Sequence, residues 1–325
     1  MTRPNERTVT AGFARFFGPH RDLLVGIGDD AAVVRQRHDR AVLCCDPVVQ
    51  GVHFDDDAPL QWVGRKVVNR NLADLAAMGA VADWLMLSVV VPRRMSWTEL
   101  RPLMLGVRKA ARAAAAIVVG GDLCVSDGPL VATISAHGHL PGRALTRSGV
   151  RVGDTLHVSG PLGGSRLGHH LRFRPPLAEG LWLAQQPDVR AAMDVSDGLL
   201  LDLETMLISS SGSGPSDQRG SEIGNRLGAE IDGASVPIRA AARTLAGGDR
   251  ERSLHHALND GEDHVLLWSQ RAGATLAAGG PLAARARRPI GRVVDRPGLW
   301  LCHDGRQTPV GADAGFQHRF AGEHE

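Results

Sequence analysis

The sequence predicts an α/β (α+β) chain built as two domains, and three observations predict it. Short apolar runs alternate with helical segments through the first half. A second series of strand and helix signals restarts after Pro141-Gly142. The length, 325 residues, is enough for two domains that each bury a core.

In the first half, Ala41 to Cys45 reads as a buried strand ending at Asp46. Residues 59–79 carry Trp62, Val63, Val67, Leu72, Leu75 and Ala76 at helical spacing, with Gly79 as the stop. Leu85 to Val91 is a strand closed by Pro92. Ser96-Trp97-Thr98-Glu99 forms a capping box that opens an Ala-rich helix to about Ala116. Ile117-Val118-Val119 is a strand ending in Gly120-Gly121-Asp122, and Pro129 to Leu140 is another.

In the second half, Asp154 to Ser159 is a strand leading into a glycine turn, and Leu177 to Gln186 is a helix. Ala192 to Gly198 is a tight turn before an amphipathic helix through Leu207. Residues 209–226, rich in Ser and Gly, read as a loop. Val265 to Trp268 and Pro289 to Val294 are later strands.

Composition narrows the function. The net charge of +2 gives no field for nucleic acid or a membrane surface, and tyrosine is absent, which argues against base-stacking platforms. The apolar runs are too short to span a bilayer. The four cysteines (Cys44, Cys45, Cys124, Cys302) form no C-x-x-C pair, and the N-terminus has no apolar leader, so a cytoplasmic protein with reduced thiols is expected. The pairs His169-His170 and His255-His256 are expected to face solvent, and Cys302 to be a buried strand thiol.

The informative feature is where the aspartates sit. Asp29 and Asp30 follow Gly26-Ile27-Gly28, Asp46 ends a strand, Asp122 follows two glycines, and Asp194 and Asp197 flank Ser196. Asp263 follows Gly261-Glu262. A lone Asp after Gly is ordinarily a turn or cap residue. Asp74 is different: it lies within an apolar helix between Leu72 and Leu75, where capping cannot account for it, and the bland alternative is a core acid paired with Arg70. Clustered carboxylates repel one another unless hard cations intervene, and Mg²⁺ takes oxygen ligands while bridging substrate phosphates. Acids among glycine turns therefore point to Mg-mediated phosphate chemistry. No Walker loop, dinucleotide fingerprint or protein-kinase signature is present.

In combination and order these segments resemble the thiamine-monophosphate kinases. The resemblance is carried by Gly26-Ile27-Gly28-Asp29-Asp30-Ala31-Ala32, by Asp46 with Gly51-Val52-His53-Phe54, and by Asn71-Leu72-Ala73-Asp74-Leu75-Ala76-Ala77-Met78-Gly79. It continues through Gly120-Gly121-Asp122, Leu145-Thr146-Arg147-Ser148-Gly149, Met193-Asp194-Val195-Ser196-Asp197-Gly198 and Gly261-Glu262-Asp263.

The resemblance implies an aminoimidazole-ribonucleotide-synthetase-like fold. Residues 1–141 would form the ATP- and Mg-binding domain whose sheet dimerises, and 142–325 the α/β domain completing the active site. It implies direct transfer of the ATP γ-phosphoryl to thiamine monophosphate in a homodimer, with several Mg²⁺ ions and no protein nucleophile. Asp30, Asp46, Asp74, Asp122, Asp194 and Asp197 resemble the metal acids, with Cys44 and Cys45 beside them. Gly121, Asp122, Arg147 and Ser196 resemble ATP contacts, and His53, Glu262 and Phe316 resemble the lining of the thiamine phosphate site. Three positions depart from the family pattern: Cys44-Cys45 replace hydroxyls, Leu123-Cys124 replace polar residues after Asp122, and Asn259-Asp260 precede Gly261 where Ser-Gly is usual. Two alternatives are another enzyme of the superfamily with a different substrate and a non-catalytic nucleotide-binding relative.

Overall fold

The computed structural model describes residues 15–25, 31–36, 38–211 and 227–310. It divides into two compact units, one of 1–75 with 80–141 and one of 76–79 with 142–325. Asp30, Phe316 and most of the 209–226 segment lie outside the described residues. Among the described residues, no helix is long and apolar enough to cross a membrane.

The first unit opens with a short hairpin, β1 (Leu23–Val25) and β2 (Val33–Val34). Its core is a four-stranded sheet in the order β3-β6-β4-β5, with β3 (Ala41–Val49), β4 (Val81–Pro92), β5 (Ile117–Ser126) and β6 (Val131–His139). β6 pairs antiparallel with β3 and β4, whereas β4 and β5 are parallel. The parallel pair needs a crossover, supplied by helix α2 (Trp97–Ala113). The capping box forms: Ser96 takes the Glu99 amide, and Glu99 reaches back to the Ser96 backbone. Helix α1 (Leu60–Ala77) presents Val63, Val67, Leu72 and Leu75 to the core, all fully buried, and Gly79 ends the turn after it at φ 70°. α1 and α2 approach at Gly64 and Gly106, where an added Cβ would run into the Leu103 or Gln61 carbonyl, so only glycine permits this crossing.

The strands run further than the sequence pattern indicated. β3 continues through Asp46 and Pro47 to Val49, because it is an edge strand whose proline needs no partner on its outer side. β5 continues through Gly120-Gly121 to Ser126. Gly121, at φ 153°, lets the two backbones close where a Cβ would strike the Leu87 carbonyl.

The second unit holds a seven-stranded sheet in the order β13-β12-β9-β11-β7-β10-β8. The strands are β7 (Thr155–Val158), β8 (Val189–Asp194), β9 (Gly228–Asp232), β10 (Leu266–Gln270), β11 (Gly291–Val294), β12 (Gly298–His303) and β13 (Arg306–Val310). One core cluster gathers Leu156, Val158, Leu199, Leu203, Met206 and Leu267, bringing in α5 (Leu199–Ser210) and α7 (Arg250–Asn259). A separate cluster gathers Trp182 and Leu183 of α4 (Leu177–Ala184) with Leu266 and Trp268 of β10. β10 is therefore buried along its whole length. The short helices α3 (His169–Arg172) and α6 (Ala240–Leu245) close the loops. The sequence pattern missed β1, β2, β9, β13, α3, α6 and α7, marked β12 only through Cys302, and read the end of β8 as a turn.

Candidate active site: two sets of carboxylates

In the first unit the site grows from the seam between β3 and α1. Alternation along β3 turns Cys44 and Asp46 toward α1 and Cys45 to the other face. Asn71, fully buried on α1, works as a clamp. Its Oδ1 accepts from the Asp46 amide at 2.9 Å, and its Nδ2 donates to the Asp46 carbonyl at 3.2 Å and to Val67 O at 2.9 Å. A side-chain amide is thus inserted beside the strand as if it were another strand, fixing Asp46 against the helix. The Asp46 carboxylate lies 3.5 Å from the Arg70 guanidinium. Arg70, the partner considered for Asp74, thus pairs with Asp46.

Asp74 sits one helical turn past Arg70, half-buried, and is hydrogen-bonded to the Cys44 thiol. That thiol also donates to Asn71 O at 3.3 Å. Burial, then the charges of Asp74 and Asp46, push Cys44 well above the usual thiol range. A thiol is a soft donor and a poor ligand for a hard cation such as Mg²⁺. Cys45 accepts from the Ser135 hydroxyl at 3.3 Å on the opposite face.

Asp122 is not beside this pair. It is exposed on β5, opposite Ser88 of β4, while Ser88 faces Thr133 and Thr133 faces Pro47. β3 and β5 are the two edges of the sheet, three strand spacings or about 14 Å apart. Leu123 and Cys124 simply continue β5. His53 is half-buried, and its Nδ1 accepts from the Val49 amide at 3.1 Å. Lys66, fully buried on α1, donates to the His53 carbonyl. Sequence reasoning passed over both Asn71 and Lys66. Their signal was a polar residue on the buried stripe of an apolar helix.

In the second unit three loops are stapled together. They are 160–165, the 194–198 turn after β8, and 260–264 before β10. The Glu262 amide donates to Ser196 O and the His264 amide to Val195 O, both at 2.7 Å. Asp263, 1% exposed, accepts from the Gly163 amide at 2.7 Å and pairs with Arg239, which also donates to Pro161 O. Burial nonetheless outweighs Arg239 and raises Asp263 to about 6. Asp260 accepts from the Gly164 amide at 2.7 Å and contacts His256. The extra acid before Gly261 is therefore tied to backbone and to a neighbouring histidine. Glu262 and His264 hold positive φ, 61° and 49°, strain that residues other than glycine keep only when surrounding bonds impose it.

The Asp194–Asp197 turn has its own anchor. Asp202, on the first turn of α5 and 3% exposed, accepts from the Ser196 and Asp197 amides at 3.0 and 3.1 Å. Burial, then the charges of Asp194 and Asp197, lift Asp202 to about 8. Asp194 is also buried and lies 3.2 Å from His264 Nδ1. Arg147 is exposed, and its carbonyl accepts from Ser210. Two histidines expected in solvent are not: His170 is buried, and His169 Nε2 donates to the Asp263 carbonyl. Burial lowers His169 to about 4. Cys302 is on β12 but only half-buried.

Among the described residues, no group of three or more His, Cys, Asp or Glu is arranged to hold a metal ion. The donor chemistry still fits Mg²⁺. That ion retains waters and takes one or two carboxylates plus substrate phosphates, and Asp46 with Asp74 offers such a pair. Like charges crowd Asp194, Asp197 and Asp202, which a cation would relieve.

The fold and the acid-bearing segment together define a class: residues 28–140 match the family described as AIR synthase related protein, N-terminal domain. A thiamine-monophosphate kinase of Rhodopirellula baltica is 36% identical over 290 residues, covering 85% of each chain. The solved thiamine-monophosphate kinase of Stenotrophomonas maltophilia K279a is 30% identical with a TM-score of 0.75, covering 94% of this chain and 98% of that one. A structure described as AaThiL complexed with AMPPCP and TMP shares the fold at 22% identity and a TM-score of 0.70, covering 97% of each. The chain belongs to the thiamine-monophosphate kinase family, enzymes that are phosphotransferases.

Proposed function

We propose that this chain transfers the γ-phosphoryl group of ATP directly to thiamine monophosphate, giving thiamine diphosphate. The observation that carries the reading is the Asp46–Asp74 pair, held by Asn71 on a strand–helix seam inside the segment matching the AIR synthase class. Curated relatives that act as thiamine-monophosphate kinases support the substrate. Mg²⁺ would be held by Asp46 and Asp74, by Asp194 and Asp197, and by Asp30 and Asp122 around the bound phosphates. When bound it supplies charge neutralisation on the transferring group.

The chain's own residues position the reactants. Arg147, exposed on its loop, can reach a phosphate with two donors, and Ser196 offers a hydroxyl at a turn whose amides are fixed by Asp202. Gly121 and Asp122 on β5 would contact the nucleotide. His53, Glu262 and Phe316 line the thiamine phosphate. In this reading 1–141 carries ATP, metal and dimer contacts, and 142–325 completes the site. The homodimer rests on the face of the first sheet that bears Leu43, 72% exposed, and Met86, 52% exposed, an apolar surface fit for a second copy. A cytoplasmic location accompanies it, with neither nucleic acid nor membrane as partner.

The test is one assay: purified protein, Mg-ATP and thiamine monophosphate, with thiamine diphosphate and ADP quantified. The expected result is stoichiometric formation of both. No diphosphate at any Mg²⁺ concentration would overturn the proposal.

A further inference from the structure

A cleft of about 140 Å³ opens in the first unit at the end of the sheet where β3 and β4 begin and β6 ends. Ala115, Ile117 and Trp84 contribute its apolar lining, and the other walls are crowded with charge. None of these residues belongs to the carboxylate sets described above.

The polar groups arrive from four elements. Ahead of β1, Asp22 is 5% exposed and is approached by His20, Arg21 and Arg35 at 3.6 to 4.0 Å. From β4 comes Asp83, the extra residue of a bulge between Ala82 and Trp84 that turns its carboxylate toward β6. There it meets His139 Nδ1 at 2.8 Å and His137 Nδ1 at 3.7 Å. These histidines are two apart on one strand and so share a face. The His38 ring stacks on His139 with centroids 3.7 Å apart.

Two further observations turn this crowding into a site. Arg40, at the entry to β3, lines the cleft and makes no ion pair among the described residues. His137 Nδ1 is shielded from water and has no hydrogen-bond partner among them, since 3.7 Å from Asp83 is too long for one. The cleft therefore holds three arginines against two aspartates, with four histidines in addition, and it has unused donors. Its charge is positive with the histidines neutral. Its volume is well below the roughly 300 Å³ at which pockets begin to take drug-sized ligands, so it excludes a nucleotide.

We propose that this cleft binds a small tetrahedral oxyanion of phosphate size, held by Arg40 and the histidines of β6. The site is separate from phosphoryl transfer, and its occupancy does not depend on the kinase reading. Arginine is suited to this, since its fork places two donors on one oxyanion.

The test uses the full chain and inorganic sulfate. Calorimetry should find sulfate binding to the wild-type chain. Arg40→Gln should weaken it at least about tenfold, and Arg40→Lys should keep most of it. Arg40 is exposed, so both variants should melt like the wild type. A crystal soaked in tungstate should show anomalous density between Arg40 and His137. Equal sulfate affinity in wild type and Arg40→Gln, or density elsewhere with the cleft empty, would overturn the proposal. So would the absence of sulfate binding. Activity with ATP and thiamine monophosphate is read separately and bears only on the kinase proposal.

Discussion

The two sets of carboxylates are held by opposite means. In the first unit Asp46 and Asp74 sit on a strand and a helix, and one buried side chain, Asn71, joins them. In the second, Asp194 is the last residue of β8 and Asp197 sits on the turn that follows it. That turn is kept in place by Asp202 beneath it and by the 260–264 loop beside it, itself under backbone strain. A seam inherits its rigidity from the sheet, whereas a loop site must be fixed bond by bond. Substitutions in the first unit should therefore act on chemistry with little effect on the fold, and those in the second on fold and chemistry together.

The largest expected effect tests the first half of that contrast. Asp74→Asn keeps size and hydrogen bonding but removes charge from a half-buried helix position. Turnover should fall by at least about a hundredfold, as for other groups that stabilise transferring charge, while the melting temperature changes little. Steady-state formation of thiamine diphosphate, read beside a circular dichroism melt, decides it. Wild-type turnover would remove Asp74 from the metal set.

The second half is tested at Arg239. This side chain neutralises the buried Asp263 and holds the 161–163 backbone. Arg239→Met leaves Asp263 buried without its counter-charge, and should cost about 3–5 kcal/mol of stability along with activity. Urea unfolding measures it. A variant as stable as wild type would mean that the three loops are not stapled as described.

The same contrast explains how much was legible in the sequence. Helix α1, its glycine stop and the capping box of α2 could be read because local periodicity and cap chemistry dictate them. Asp46 and Asp74 could be picked out because an acid on an apolar element is out of place. The reach of β3 and β5 could not be read, since Pro47 and Gly120-Gly121 are locally strand breakers and only the partner strands show why they are tolerated. The separation of Asp122 from Asp46 was equally hidden, because strand order is a long-range property. The burial of His169 and His170, and the use of Asp260 to hold Gly164, depend on loops about a hundred residues apart meeting.

Two buried histidines of the second unit should contribute stability that acid removes. His157 on β7 is 1% exposed, stacked on Trp268 and bonded to Thr155, and burial lowers it to about 4. His169 is lowered to a similar value. Unfolded histidines bind protons at about 6.5, so between there and about 4 these two sites hold more protons in the unfolded chain than in the native one, whereas Asp202 and Asp263, raised to about 8 and about 6, hold more in the native one and act in the opposite sense. The histidine contribution is present above about 6.5 and lost as pH falls through that window, by no more than about 1.4 kcal/mol per unit for each histidine. Urea midpoints measured at several pH values in wild type and His157→Gln isolate it: the variant should lose less stability, or gain more, on acidification than wild type does. An unchanged slope in that variant would assign the acid sensitivity elsewhere.

The smallest effect returns to the first unit and tests how self-sufficient its elements are. Ser96 accepts from the Glu99 amide, and Glu99 reaches back to the Ser96 amide at 2.7 Å and to its hydroxyl at 2.6 Å. The box is exposed, and Glu99 is held below the usual carboxylate range by its bonds to Ser96. Ser96→Ala removes the acceptor for one helix-terminal amide and should cost about 1 kcal/mol, seen as a small drop in the urea midpoint with turnover unchanged. A large loss of turnover would contradict the contrast drawn here. It would mean that α2, which carries none of the proposed site residues, transmits its N-terminal order to Asp122 through the β4–α2–β5 crossover.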